Sequence, residues 1–431
     1  MSGSPSTPSV ARKRERNPLK RFLKLLGPGV ITGASDDDPS GIGTYSVAGA
    51  SLGFATLWTA VITFPLMVAV QFTCAKIGLV SGQGLAGVLR QFYSRKWLYP
   101  AVLGVVVANT INAGVDIGAI AEAIRLFVPL PKSVIIVFIA CTIVTLQIYG
   151  SYRLIQKVFK WLALTLFAYI GAAFFAHPQW GEVVRATFIP ALHLDNKYLV
   201  TIVAILGTTI SPYLFFWQTS EEVEEEKRIG RNTIDERLGA TRAELRYAEW
   251  DTIIGMAFCS IVFYFVILAS AATLHVAGKT DIQSATEAAQ ALRPLAGSGA
   301  TFLFALGLIG AGFLAVPVLT GSSAYAVSEA FGWRSGLDEK PKNAKLFYAV
   351  IAVSTLVGIL INFAGINPIK ALFWTAVLNG LISPPLLLVI LLVANNKQVM
   401  GERVNGPLAN IVVGAATLLM FVAAVAMFIT W

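Results

Sequence analysis

The stretch GASDDDPSGIG, residues 33–43, places Asp36, Asp37 and Asp38 in a row directly before a proline, inside a long apolar run. Carboxylates are among the side chains a bilayer tolerates least. Proline removes a backbone donor and glycine loosens a helix. The surroundings decide how this stretch is read. The chain has 431 residues, 56% hydrophobic and 13% charged, whereas a soluble domain carries about 25% charged residues. So few charges cannot cover a water-facing surface, and the composition implies an all-α polytopic membrane protein.

Runs long enough to cross about 30 Å of hydrocarbon fall near 26–50, 53–77, 100–124, 133–149, 155–176, 198–219, 252–275, 299–329, 346–364, 370–393 and 408–430. Eleven spans put the termini on opposite sides. All but seven of the 33 Lys and Arg residues (the exceptions are Arg125, Lys132, Arg185, Lys197, Lys279, Arg293 and Lys370) lie on one side of such a topology. By the positive-inside rule the N-terminus is cytoplasmic and the C-terminus external. The net charge of +9 is thereby a topology signal and needs no nucleic-acid partner; no obligatory protein partner is evident either. Residues 1–20 read as a disordered cytoplasmic tail and 21–431 as a single membrane domain. With no organelle targeting signal, a bacterial inner membrane is expected. Cys74, Cys141 and Cys259 all sit in apolar runs and read as small buried hydrophobes.

Two hydrophilic connections stand out. Residues 220–251 read as a charged cytoplasmic linker with a solvated acid run at 221–226. In it, Thr241 and Glu244 fit a capping box that starts a short helix. Thr280 and Gln283 give the same signal in an external connection.

The breaks carry more information. DDDPSG interrupts span 1 near its middle, and GTTISPY, residues 207–213, interrupts span 6. Pro39 and Pro212 are five spans apart. An odd number of spans inverts a repeat, so matching breaks in spans 1 and 6 predict an inverted 5+5 repeat. Its halves are about 26–176 and 198–393, with an extra helix at 408–430. Paired discontinuous helices mark the central site of a transporter. The ends of the two half-helices release carbonyls, and with the acids they form an oxygen cage suited to a divalent cation and hostile to an anion. Asp38, directly before the proline, is the main expected ligand. Successive helical residues point about 100° apart, so only one of Asp36 and Asp37 can join it. The other is expected to face an inner aqueous vestibule.

These residues carry a resemblance. From about residue 20 to the C-terminus the chain resembles the Nramp (natural-resistance-associated macrophage protein) superfamily of divalent metal transporters. Asp38, Pro39, Ser40 and Gly41 fall on its DPGN metal-binding motif, and GTTISPYLFFWQTS is similar to its sixth-span GATVMPHNLYLHS. The resemblance implies a LeuT-type fold and a metal site of Asp38, Asp37, Ser40, Gly41, Thr208 and Ser211. Thr208 would act through its carbonyl, and Ser211 replaces a ligating Met. It also implies a coupling or ion pathway through Asp36, Asn112, Asp116 and Tyr213. Asn112 stands about where the family has a proton-handling Asp, Asp116 lies one turn later, and Tyr213 replaces a His. The three histidines, His177, His193 and His275, sit at or beyond outer span ends. This pattern is similar to the Nramp-related magnesium transporters.

The sequence therefore predicts uptake of Mg2+ and/or Mn2+ by alternating access with weak or no proton coupling; the alternative is a proton-coupled Mn2+/Fe2+ symporter. The partners are the metal ions and the bilayer, with no cofactor. No HExxH or GxSxG motif supports an enzyme, and three acids in the gap oppose an amino-acid symporter. Asn379 and Ser383 in span 10, and Thr320, Ser322 and Ser323 in span 8, read as packing residues.

Overall fold

The computed structural model describes residues 27–150 and 164–430, and these form helices and connections without a strand. The helices follow the apolar runs. Span 1 is two helices, Pro28–Asp36 and Pro39–Leu52, and span 6 is two, Asn196–Thr209 and Pro212–Arg228. Spans 2, 3 and 4 are Trp58–Ser81, Arg95–Arg125 and Lys132–Tyr149. Span 5 is described from Leu164, ending in the helix Ala168–Phe175; its earlier part and the tail at 1–20 lie outside the described residues. Span 7, Arg242–Ser270, runs into a π-turn at Ala271–His275. Spans 8 to 11 are Ala300–Phe331, Lys345–Ile359, Pro368–Ala394 and Pro407–Ile429.

The packing partners obey the inverted repeat. Exchanging spans 1–5 with 6–10 turns the pairing of spans 1 and 7 into that of spans 6 and 2, and both pairs pack. Spans 3 and 8 pack together, a pair the exchange leaves unchanged. The pairs 3 with 9 and 8 with 4 map onto each other in the same way. Each broken span thus lies against the second span of the other repeat.

The hydrophilic connections differ from the sequence reading. Residues 220–228 continue span 6 as helix, and Glu221, Glu222, Glu224 and Glu226 are buried, not solvated. The run is made of good helix formers and is wedged between spans 2 and 8. Lys227 pairs with Glu224 at 2.7 Å and Arg231 with Glu226 at 2.8 Å. The Thr241–Glu244 capping box forms, but it starts span 7 itself instead of a separate short helix. The Thr280–Gln283 box does not form. Ser284 caps the helix Ala285–Ala289 by accepting from Glu287 N. Cys74 and Cys259 are buried as expected, whereas Cys141 is exposed.

Span 1 owes its position to a backbone contact. Gly29 and Gly33 form a small-xxx-small pair of the kind that lets membrane helices approach closely. A β carbon on Gly33 would lie 2.1 Å from the Gly255 carbonyl oxygen of span 7, and one on Gly255 would lie 2.1 Å from the Gly29 oxygen. Gly33→Ala should therefore force these helices apart and destabilise the protein by about 1–3 kcal/mol, the usual cost of overpacking. The checking measurement is thermal melting in detergent, read by size-exclusion recovery. Gly414→Ala, with no atom within 4 Å of the added carbon, should melt as the parent does.

Candidate metal site

The site begins with backbone geometry. A residue before proline is driven from the helical region to extended backbone. Asp38, before Pro39, has φ −70° and ψ 168°. This ends the first half of span 1 and makes Asp38 the N-cap of the second half. Asp38 Oδ1 accepts from Gly41 N at 2.6 Å and from Ser40 Oγ at 2.8 Å. Oδ2 accepts from Asn112 Nδ2 of span 3 at 3.0 Å. Ser40 and Gly41, which the resemblance aligns with a ligand motif, thus act here as donors that hold Asp38.

Span 6 breaks by the same rule at Ser211, before Pro212, with φ −80° and ψ 135°. The Ser211 hydroxyl is shared between the freed carbonyls of Gly207, at 3.0 Å, and Thr208, at 2.8 Å. Ser383 of span 10 donates to Ile210 O at 2.7 Å, and Ser322 of span 8 donates to Tyr213 O at 2.8 Å. Tyr213 donates its hydroxyl to Ser35 O, tying the two broken spans together at 3.0 Å. The breaks meet at Gly41, whose missing side chain leaves room for Thr208. A β carbon there would lie 3.0 Å from Thr208 Oγ1 and 3.3 Å from Asp38 Oδ1.

The remaining acids are enclosed as well. Asp36, Asp37 and Asp116 are at most 1% exposed. Asp36 Oδ2 accepts from the Cys259 thiol of span 7 at 3.0 Å, while its Oδ1 has no partner. Neither oxygen of Asp37 nor of Asp116 has a partner. Neither Asp36 nor Asp37 faces an aqueous vestibule, in contrast to the sequence expectation, because the glycine contact described above brings span 7 over them.

The chemistry follows from what is absent. Among the described residues, no Lys, Arg or His bonds to any of these four carboxylates. No three acid, thiol or imidazole side chains converge as a preformed metal cage. An unpaired buried carboxylate is costly, so the cluster calls for protons or a cation. The oxygens of Asp38, Thr208 and Ser211, with unpartnered Asn112 Oδ1 nearby, fit a hard divalent ion better than a soft one.

Two contacts flank the site. On one side, a β carbon on Gly43 would lie 3.0 Å from Leu372 of span 10. On the other, Thr32 donates to Gln218 at 2.5 Å and Gln218 to Glu222 at 2.8 Å. Asp251 caps the start of span 1 by accepting from Gly27 N at 2.9 Å and Gly29 N at 2.6 Å.

Sequence reasoning missed Cys259, and it set aside Ser383 and Asn379 as packing residues. Ser383 closes a carbonyl at the break, and Asn379 is 1% exposed with neither amide atom bonded. The available signal for Cys259 was its spacing: it follows Gly255 by four residues, one turn along the face that meets Gly29 and Gly33.

Comparison with known proteins adds a family frame. Residues 29–430 match the family described as natural resistance-associated macrophage protein-like. The chain is 25% identical over 413 residues to the divalent metal cation transporter MntH of Caldanaerobacter subterraneus subsp. tengcongensis, covering 94% of each. A manganese transporter of Eremococcus coleocola has a similar fold, with TM-score 0.75 at 18% identity over 96% of this chain and 88% of that one. Mhp1, a nucleobase-cation-symport-1 family transporter, is similar at TM-score 0.60 and 15% identity, over 94% of this chain and 90% of that one.

Asp38→Ala should abolish divalent metal binding in calorimetry. Asn112→Ala, which removes one donor to Asp38 but no charge, should weaken binding by about 10-fold, the scale of one hydrogen bond to a charged group. Equal affinity in Asn112→Ala and the parent would show that this bond does not position the ligand.

Proposed function

Because the chain belongs to the natural resistance-associated macrophage protein-like family, we propose that it carries Mg2+ and Mn2+ inward across the membrane by alternating access, with little or no coupling to protons. It is a multi-pass divalent metal cation transporter with the LeuT-type architecture of two broken, inverted spans. One observation carries the finer reading. Asp38 is held at the first break by Gly41 N and Ser40 Oγ and from span 3 by Asn112 Nδ2, beside the Gly41–Thr208 approach of the second break.

Hard oxygen donors favour Mg2+ and Mn2+. Ser211 supplies a hydroxyl beside Thr208, and Asn112 is an amide that does not titrate. Two charges crossing 100 mV gain about 4.6 kcal/mol, a sufficient driving force without protons. The excess of basic residues on one side supports a cytoplasmic N-terminus, an external C-terminus and a bacterial inner membrane.

A second reading, proton-coupled Mn2+/Fe2+ symport, is favoured by Asp116, which is buried with both oxygens free of partners. Proteoliposomes with an imposed negative-inside potential separate the two. The expected result is Mn2+ uptake inhibited by millimolar Mg2+, with no acidification of the lumen. Acidification in step with metal entry would select the symporter instead. Ser211→Met, which replaces a hydroxyl with a thioether, should shift preference at least several-fold from Mg2+ toward Mn2+.

A further inference from the structure

We propose that the end of the bundle where span 3 begins carries a binding site for one anionic phospholipid. Arg90 and Arg95 hold its phosphate, and an exposed stripe of span 3 receives an acyl chain.

The stripe follows from helical spacing. Tyr99, Leu103 and Val107 recur at four-residue intervals, which puts them on one face of span 3. The span packs against spans 8 and 10, yet these three large apolar side chains stay exposed, Leu103 by 65%. Arg95, the first residue of the helix, lies one turn before Tyr99 on the same face. The face thus passes from apolar to cationic within a turn, as a lipid passes from chain to headgroup. Trp97 and Tyr99 are exposed at the same level, where a bilayer meets water and aromatic side chains collect.

Tertiary packing brings a second cation to this place. Tyr99 stacks on Phe331 at the end of span 8, with ring centroids 6.2 Å apart, and Phe331 stacks on Trp333 at 5.1 Å. Between those two residues, Gly332 ends span 8 with φ +72°. The guanidinium of Arg90, from the helix Leu85–Phe92, lies over it, so that a β carbon on Gly332 would collide with Arg90 Nη1. Arg90 and Trp333 line one cavity of about 160 Å3 with Gly84, Gly87 and Ser335.

Charge identifies the occupant. Neither Arg90, Arg95 nor the neighbouring Lys96 has an acid partner among the described hydrogen bonds and ion pairs. The two acids that line the cavity are already engaged. Glu329 accepts from Ser220 Oγ at 3.0 Å and from Gly87 N at 3.2 Å, and Glu224 accepts from Lys227 at 2.7 Å. Unpaired cations are therefore left beside an apolar stripe. Basic pockets beside spans hold acidic headgroups, and guanidinium groups match phosphate in shape as well as charge. A choline headgroup carries its own cation and gains less from the same residues.

The test is native mass spectrometry of the purified full chain in detergent, titrated separately with dioleoylphosphatidylglycerol and dioleoylphosphatidylcholine. The parent should form its one-lipid adduct at an about 10-fold lower concentration of the anionic lipid, on a scale of about 5-fold in affinity for each cation engaged. Arg90→Gln/Arg95→Gln should lose this preference, whereas Arg90→Lys/Arg95→Lys, which keeps both charges, should retain most of it. Both positions are exposed, so neither substitution disturbs the core. Lys370→Gln removes an exposed cation at the start of span 10 and should bind as the parent does. Equal uptake of the two lipids by the parent overturns the proposal, as does a Gln double variant that keeps the parent's preference. Loss of the preference in Lys370→Gln would overturn it too, by showing that net charge and not this site selects the lipid.

Discussion

A carboxylate placed directly before a proline is the constraint from which this molecule's centre is built. Pro39 suits the first turn of a helix, because its missing N–H has no partner there in any case. It also forces the preceding residue out of the helical region. That residue is Asp38, so one local steric rule both breaks the span and aims an acid at the gap. The cap bonds from Ser40 and Gly41 then hold the carboxylate in place. Ser211 and Pro212 repeat the rule in span 6 without the charge. The two breaks thus differ in chemistry: one carries a charge and the other only neutral oxygens.

Bringing the breaks together requires close helix contact in a medium where the hydrophobic effect provides little drive between helices. Missing side chains do this instead. Gly33 and Gly255 join spans 1 and 7, and Gly207 sits so close to Ala376 and Gly380 that a β carbon would lie 2.1 Å from the Ala376 oxygen. Contacts of this kind are short; the first couples span 1 to span 7 of the other repeat, and the second couples span 6 to span 10 of its own repeat. The break in span 1 is thereby packed directly against span 7, and that in span 6 against span 10.

Much of this was legible before any coordinates. The length of apolar runs located the spans, since hydrocarbon thickness fixes the minimum run. Pro39 and Pro212 located the breaks. What was not legible followed from context that sequence does not display. The acid run at 221–226 was read as solvated from composition alone, but the helix carries it between spans 2 and 8, where Lys227 and Arg231 neutralise part of it. Asp36 and Asp37 were expected to divide between a ligand role and water. Their enclosure depends on which span lies across from them, and only tertiary packing decides that. Cys259 was read as a hydrophobe because thiols usually behave so; its partner lies 223 positions away in the chain.

The same arrangement explains why binding at the centre need not be too strong for transport. A carrier must release what it captures, so its site gains from groups that can satisfy themselves when the ion leaves. Thr208 O accepts from Ser211, Ile210 O accepts from Ser383, and Asp38 accepts from Asn112. These three acceptors each have a hydrogen-bond partner in a low-dielectric interior, where an unmet acceptor costs about 1–3 kcal/mol. Asp37 and Asp116 have no such substitute. Buried acids without partners are costly, so these two set the local demand for a proton or a cation.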